Sequence, residues 1–400
     1  MCSQAIQTVQ KKTNLLIVAI LIGTFIPPFG GSAILSIFKA LKFTFDISVE
    51  YIVFAISAYN FALTATLLFS GALSDIYGRK KVIVYGFILF GIGSIGSALA
   101  PNIVIFILFR FINGLGDGLV TPVLFTLLGD LVPEDKRGRY IGFSTTLVLI
   151  AWMLGPLVAG YTALISWRYI YVAIFFMVLF VLVIYQTRIT YFRKSLEKSL
   201  FKALSDNFFS VLKSRLAVVI AILGFLMFFA RMSFYTFLAD VLTLPPFSFT
   251  DDYIGYIFFV NGLAGVILGP ITGYIYDSFG RFKTLITGAF VVCIIYLVFV
   301  IYSWSAYLIH LMIIYGAAFT ILLTALNTLS VEVVPELRGT MISIYFSLCS
   351  LGFSMAPLVI LPIYLTYGFY MVNLVNLVIM ILSIILIVFV FYKKQVTSDW

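Results

Sequence analysis

Apolar residues run along this chain in stretches of about twenty, separated by short clusters of charge. A helix needs ~20 such residues to cross ~30 Å of hydrocarbon. Charge-free stretches of that length predict helices over 14–36, 51–73, 82–100, 102–127, 140–165, 169–187, 215–238, 253–275, 284–302, 306–330, 340–362 and 368–392. Two longer stretches have to be divided, and Ser303-Trp304-Ser305 and Thr366-Tyr367-Gly368 are the turns that divide them. The first span follows Lys11 and Lys12 as a secretory signal would, but its apolar run is too long, so it reads as a retained helix. The pattern predicts an all-α membrane protein of twelve transmembrane helices.

Composition agrees. Of 400 residues, 62% are hydrophobic and 10% charged, against roughly 45–50% and about 25% in soluble proteins. The net charge of +9 would suit nucleic acid only if the basic residues clustered on a soluble face, and here they sit at helix ends. Cys2, Cys293 and Cys349 have neither metal-ligand nor disulfide spacing. No Walker-type loop, histidine cluster or serine elbow appears. The chain therefore reads as no enzyme, with no cofactor, no metal and no nucleic-acid partner; its partners are the lipid bilayer and a small-molecule substrate.

Loop charge sets orientation. Alternate loops put 20 Lys and Arg on one side and only Lys39, Lys42 and Arg168 on the other, which predicts that both termini are cytoplasmic. One long basic loop, 188–214, divides residues 1–187 from 215–400, six helices each. Phe192, Leu196, Leu200, Leu204 and Phe208 recur within it at fourfold spacing among basic residues, as in a helix lying on the inner leaflet; a solvated basic linker fits equally. The halves repeat: GALSDIYGRKK at 71–81 matches GYIYDSFGRFK at 273–283, and DLVPEDKRG at 130–138 matches EVVPELRG at 332–339, both 202 residues apart. Parallel six-helix repeats build transporters whose halves rock around a site near the bilayer midplane.

With these motifs the chain resembles the major facilitator superfamily over nearly its whole length, and is most similar to its drug:proton antiporter branches. GALSDIYGRKK resembles the family's loop between helices two and three. The resemblance implies a cytoplasmic latch of Gly71, Asp75, Gly78, Arg79 and Asp130, repeated as Asp277, Gly280, Arg281 and Glu332 in the second half. The glycines would allow close helix approach and a tight turn. The stretch Gly142, Ala151, Gly155, Pro156, Ala159, Gly160 resembles the helix-five motif of the antiporter branches, a small face for tight packing against a helix of the other half. RFINGLGDG at 110–118 resembles the helix-four motif, except that Asp117 stands where the family has a small residue.

Arg110, Asn113, Gly114 and Asp117 share one face of that helix by spacing, and Arg231 lies inside the seventh span. An ionisable group in hydrocarbon is a functional candidate by default, so Asp117, Arg110, Asn113 and Arg231 are the proposed proton and substrate cavity. Asp117 is the one carboxylate that the reading places in the middle of a span. Competing readings are an Arg110–Asp117 pair that only neutralises buried charge, and an Arg231 that snorkels outward. The asparagines at 60, 261, 327, 373 and 376 read as glue between helices, and His310 as an interfacial histidine.

The expected function is secondary transport by alternating access. The chain would be a monomer in the plasma membrane, exporting drug-like or amphipathic small molecules in exchange for protons. Alternatives are proton-coupled symport of a small metabolite or organic anion, and a transport-dead sensor on the same fold.

Overall fold

The computed structural model describes residues 2–132, 134–188, 210–301 and 307–396, and every regular element among them is helical. In a bilayer each backbone N–H and C=O must bond within its own segment, which is why such apolar stretches are helices. In chain order they are α1 (Cys2–Ser32), a 3₁₀ turn (Ala33–Ser36), α2 (Phe38–Phe45), α3 (Val49–Tyr77), α4 (Arg79–Leu99), α5 (Ile103–Leu131), α6 (Glu134–Ala163) and α7 (Arg168–Arg188). Then follow α8 (Arg215–Thr243), α9 (Asp251–Phe279), α10 (Arg281–Ile301), α11 (Leu308–Glu332), a second 3₁₀ turn (Pro335–Leu337) and α12 (Arg338–Val396).

Eleven of these helices are long and apolar enough to cross a membrane. The last, α12, has 59 residues, about 88 Å if continuous and far more than one crossing needs. It breaks at Gly368, where φ is 74° and ψ is −171°, a conformation that glycine adopts without steric cost. Dividing α12 there gives twelve helices of that kind among the described residues, at the turn expected from sequence. The other expected turn, Ser303-Trp304-Ser305, lies outside the described residues, as do residues 189–209 of the basic loop.

The chain forms two compact units. One comprises Met1–Leu196 with Thr250–Tyr256, the other Glu197–Phe249 with Ile257–Trp400. The boundary between them falls in the basic loop, but the start of α9, which the sequence assigns to the second half, packs with the first unit. Within the first unit α5 packs on α3 and α4, α4 on α7, and α1 on α6 and α7. Within the second, α8 packs on α12, and α10 on α11 and α12.

The 202-residue repeat is present in the packing. Helices α3 and α4 (Val49–Tyr77, Arg79–Leu99) recur with the same lengths as α9 and α10 (Asp251–Phe279, Arg281–Ile301). Gly114 lies so close to α3 that a Cβ would strike the Tyr59 carbonyl, and its counterpart Gly316 bears the same relation to the Asn261 carbonyl. Gly86 against Val120 recurs as Gly288 against Leu322. Without a hydrophobic drive between helices in lipid, such close approach is what holds them together. The loop glycines Gly78 and Gly280 have φ of 89° and 83°, so each turn needs a residue tolerant of that conformation. A Cβ on Gly280 would meet no atom within 4 Å, so Gly280→Ala tests backbone strain alone. It should destabilise by about 1–2 kcal/mol, read as a lower unfolding midpoint in detergent with no loss of monodispersity.

Candidate functional site

The first unit gathers its polar groups where α1 ends. The last carbonyls of a helix have no intrahelical partner, and α1 ends at Ser32. Arg110 on α5 supplies the missing donors: Nη1 donates to the Gly30 carbonyl at 3.2 Å and Nη2 to that of Gly31 at 3.3 Å. The cation also complements the negative end of the helix dipole. Its guanidinium lies 4.3 Å from the centre of the Tyr59 ring on α3, and the side chain is buried. Gly114, one turn further along α5, admits the α3 backbone beside Tyr59.

One more turn along stands Asp117. The Tyr59 hydroxyl donates to its Oδ2 at 2.6 Å and the Thr121 hydroxyl to its Oδ1 at 2.6 Å. Among the described residues no cation is within ion-pair distance of this carboxyl. Tyr59 therefore sits between Arg110 and Asp117, its ring against one and its hydroxyl on the other. The competing reading, in which Arg110 pairs directly with Asp117, gives way to this arrangement, because the guanidinium is committed to the end of α1.

The shared face expected for four residues also divides. Asn113 turns to α4, where Nδ2 donates to the Phe90 carbonyl at 2.7 Å and to Ser94 Oγ at 3.1 Å. It fastens α5 to α4 and stands apart from the Arg110, Tyr59 and Asp117 group. Tyr59 and Thr121 escaped the sequence reading. Thr121 was in principle visible, four residues after Asp117 on the same helical face, whereas Tyr59 is one of 24 tyrosines and carries no local signal.

The second unit has different chemistry at the matching positions. Arg231 on α8 is half-buried, with its guanidinium carbon 4.0 Å from the centre of the Phe319 ring and 5.0 Å from that of Tyr235. The Tyr235 hydroxyl donates to Asn261 Oδ1 on α9, and Asn261 Nδ2 donates to the Met312 carbonyl on α11 at 2.7 Å. Ser233 donates to Asn376 Oδ1 at 2.7 Å, joining α8 to α12. Asn261 and Asn376 thus join helices, while Asn60 and Asn373 bond carbonyls of their own helices. His310 is exposed near the start of α11.

A buried carboxylate missed by the sequence reading, Asp240, accepts from the Tyr364 hydroxyl at 2.6 Å. It was missed because α8 runs to Thr243, beyond the apolar stretch that marked the span.

At the loop ends, Arg79 forms an ion pair with Asp130, and its Nη1 donates to the Thr126 carbonyl at 2.9 Å. The repeat of this pair joins Arg281 Nε to Glu332 Oε2 at 3.1 Å. The pairs are partly exposed, and exposed ion pairs are worth roughly 0–1 kcal/mol, too little to matter to stability. Asp75 is exposed in the last turn of α3, and the side chain of Asp277 lies outside those described. A Cβ on Gly71 would meet no atom within 4 Å, so this glycine mediates no close approach, contrary to expectation.

Gly142 is likewise open. The rest of the helix-five motif is packed tightly. A Cβ on Gly155 would meet Ser32 Oγ and the Phe29 carbonyl of α1, a helix of the same unit rather than of the other half. The Pro156 carbonyl accepts from Ser36 at 2.6 Å. Gly160 lies against the backbone of Asp251 and Asp252, in the segment of α9 that packs with this unit, and Ala151 and Ala159 are fully buried.

Comparison with known proteins identifies the fold and the family. Multidrug resistance protein 3 of Bacillus subtilis (strain 168) is 37% identical over 116 residues, which cover 29% of this chain and 23% of that protein. The match thus spans about a quarter of that relative's length. Among solved structures, a D-xylose-proton symporter superposes with a TM-score of 0.77 at 17% identity, covering 93% of this chain and 96% of that one. A POT family transporter in complex with 5-aminolevulinic acid gives a TM-score of 0.78 at 13% identity, with 96% of each chain covered. At these identities the structures establish the fold. The sequence profile described as Major Facilitator Superfamily matches residues 20–357 and 220–399, and since those matches take in most of the chain, it belongs to the Major Facilitator Superfamily.

Proposed function

We propose that the protein is a secondary active transporter working by alternating access, and that it moves amphipathic small molecules outward in exchange for protons. The observation that carries this reading is Asp117, a buried carboxyl inside a span, bonded by the hydroxyls of Tyr59 and Thr121 and without a cationic partner among the described residues. A carboxyl held in this way can take up a proton or face a substrate, and competition between the two for one group is the physical basis of exchange. The small face of α6 around Gly155, Pro156 and Gly160, and the multidrug-resistance name of the Bacillus relative, support the export direction. The plasma membrane location, cytoplasmic termini and monomeric state belong to the same proposal, and so does a latch role for the Arg79–Asp130 and Arg281–Glu332 pairs.

The test is uptake into proteoliposomes with an acidic lumen, using ethidium and 1-naphthoate in parallel. Protons leaving should drive one of the two inward, and Asp117→Asn should abolish that accumulation. Naphthoate as a free weak acid distributes toward the alkaline side, so its accumulation in an acidic lumen requires the protein. Ethidium accumulation only when the lumen is alkaline, or naphthoate accumulation there beyond that of protein-free liposomes, would instead indicate symport, the reading favoured by a cation in the second unit without a carboxylate partner. An Asp117→Asn protein that still accumulates the probe would remove Asp117 as the carrier.

A further inference from the structure

The two units keep the same glycine contacts but differ in charge. Where the first has Phe29 and Asp117, the positions 202 residues on are Arg231 and Phe319, and the structure sets that arginine on that phenylalanine. We infer that Arg231, with Phe319 and Tyr235, is an anion-binding site, and that the transported molecule carries a carboxylate or phosphate group on an aromatic or apolar body. This rests on the reading of the protein as a transporter of amphipathic small molecules.

The contrast with Arg110 carries the argument. Both guanidinium groups stack on a tyrosine, but the Nη donors of Arg110 are used on the two end carbonyls of α1. Arg231 has no such acceptor: among the described residues neither a carboxylate nor a main-chain carbonyl lies within bonding distance of it. Asp240 is nine residues further along α8, about 13 Å at 1.5 Å per residue, and is bonded to Tyr364.

Nor does Arg231 escape to the membrane surface. It lies seven residues before the apolar stretch ends at 238, about 10 Å along the axis. It is also on the face that meets α11, since Phe228, one turn earlier, packs on the same Phe319 ring at 6.0 Å. Two aromatic rings flank the guanidinium by cation–π attraction; the Tyr235 hydroxyl is within hydrogen-bonding reach of it, and its other N–H groups are left for a ligand. A planar fork of this kind matches a carboxylate or phosphate with two parallel bonds. Tyr235 is fixed for the purpose by its bond to Asn261, itself anchored on the Met312 carbonyl. An arginine in hydrocarbon with no counter-charge is costly, and a bound anion would supply that charge.

The experiment is ligand-dependent thermal stabilisation of the purified protein with three molecules of one shape: 1-naphthoate, 1-naphthylmethylammonium and 1-naphthalenemethanol. Wild type should bind naphthoate at least tenfold more tightly than the other two. Arg231→Ala should lose at least tenfold of that affinity, and Arg231→Lys should keep part of it. If Arg231→Ala fails to fold, Arg231→Gln and Arg231→Lys carry the comparison. Unchanged naphthoate affinity in these variants, a preference for the ammonium, or no binding of any of the three would overturn the site. Binding is read here without any pH gradient, and Gly129→Ala, where an added Cβ meets no atom within 4 Å, should retain the naphthoate preference, so failure of proton exchange and failure of the anion site are read separately.

Discussion

Arg110→Ala is expected to be among the most damaging single changes in the first unit. It leaves the carbonyl of Gly30, which is buried, and that of Gly31, which is partly exposed, without donors, at about 1–3 kcal/mol for the first and less for the second. It also removes the cation that lies on the Tyr59 ring, so the hydroxyl that Tyr59 gives to Asp117 loses its support. The unfolding midpoint in detergent should fall by several degrees. Arg110→Lys should recover only part of the loss, because one ammonium on a flexible stem reproduces neither the two-carbonyl span nor the planar stacking. Recovery to the wild-type midpoint by lysine would mean that charge alone matters at this position, against the capping geometry at the end of α1.

The second large effect is expected at Gly114. Any side chain there collides with the Tyr59 carbonyl oxygen, and α5 cannot simply withdraw, because Gly116 is pressed against Phe90 and Gly86 of α4 on its other side. Gly114→Leu should therefore give little folded protein, and Gly114→Ala a clearly reduced yield. Gly316→Ala should behave like Gly114→Ala, since Gly316 faces the Asn261 carbonyl in the same way. Gly129→Ala and Gly142→Ala are the controls. Neither position has an atom within 4 Å of an added Cβ, so both should express and elute as wild type. Gel-filtration yield of the four alanine variants checks the whole set, and equal yields would contradict the packing.

The parts of this structure that hydropathy and repeats govern could be read from the chain. The apolar stretches and the break at Gly368 follow from residues near one another in sequence; the pairing of Arg79 with Asp130 was implied by the family resemblance alone, and the 202-residue offset carries it to Arg281 and Glu332. Helix ends were read short, because hydropathy marks where hydrocarbon stops and the backbone goes on satisfying itself for another turn. That is how α9 reaches from Asp251 to Phe279 instead of 253–275, and why Asp240 stayed hidden. The short helix α2 was missed for a related reason: eight residues are too few for a crossing signal.

The candidate site was legible only in part. Arg110 and Asp117 stand out as charges in apolar sequence, but what each bonds to is decided by α1 and α3, whose contributions are two main-chain carbonyls and one tyrosine among many. Asn113 shows the limit of helical spacing as a guide. It follows Arg110 by three residues, yet bonds to α4, because a helix surrounded on several sides has no single inner face. Asp251 is a similar case: its carboxyl accepts from the backbone N–H of Lys39 at 3.2 Å and of Ala40 at 2.9 Å, capping the start of α2 from 211 residues away. No local pattern announces such a cap.

Proton movement itself is the most direct test of the central claim that Asp117 couples transport to protons. Proteoliposomes loaded with the pH dye pyranine, at equal pH on both sides, would receive external ethidium or 1-naphthoate. Entry of the molecule that the protein carries should drive protons out and raise the lumenal pH in wild type. Asp117→Asn, folded by gel filtration, should give no more dye signal than protein-free liposomes. Substrate entry in wild type without a pH change, or wild-type proton movement in Asp117→Asn, would contradict the account.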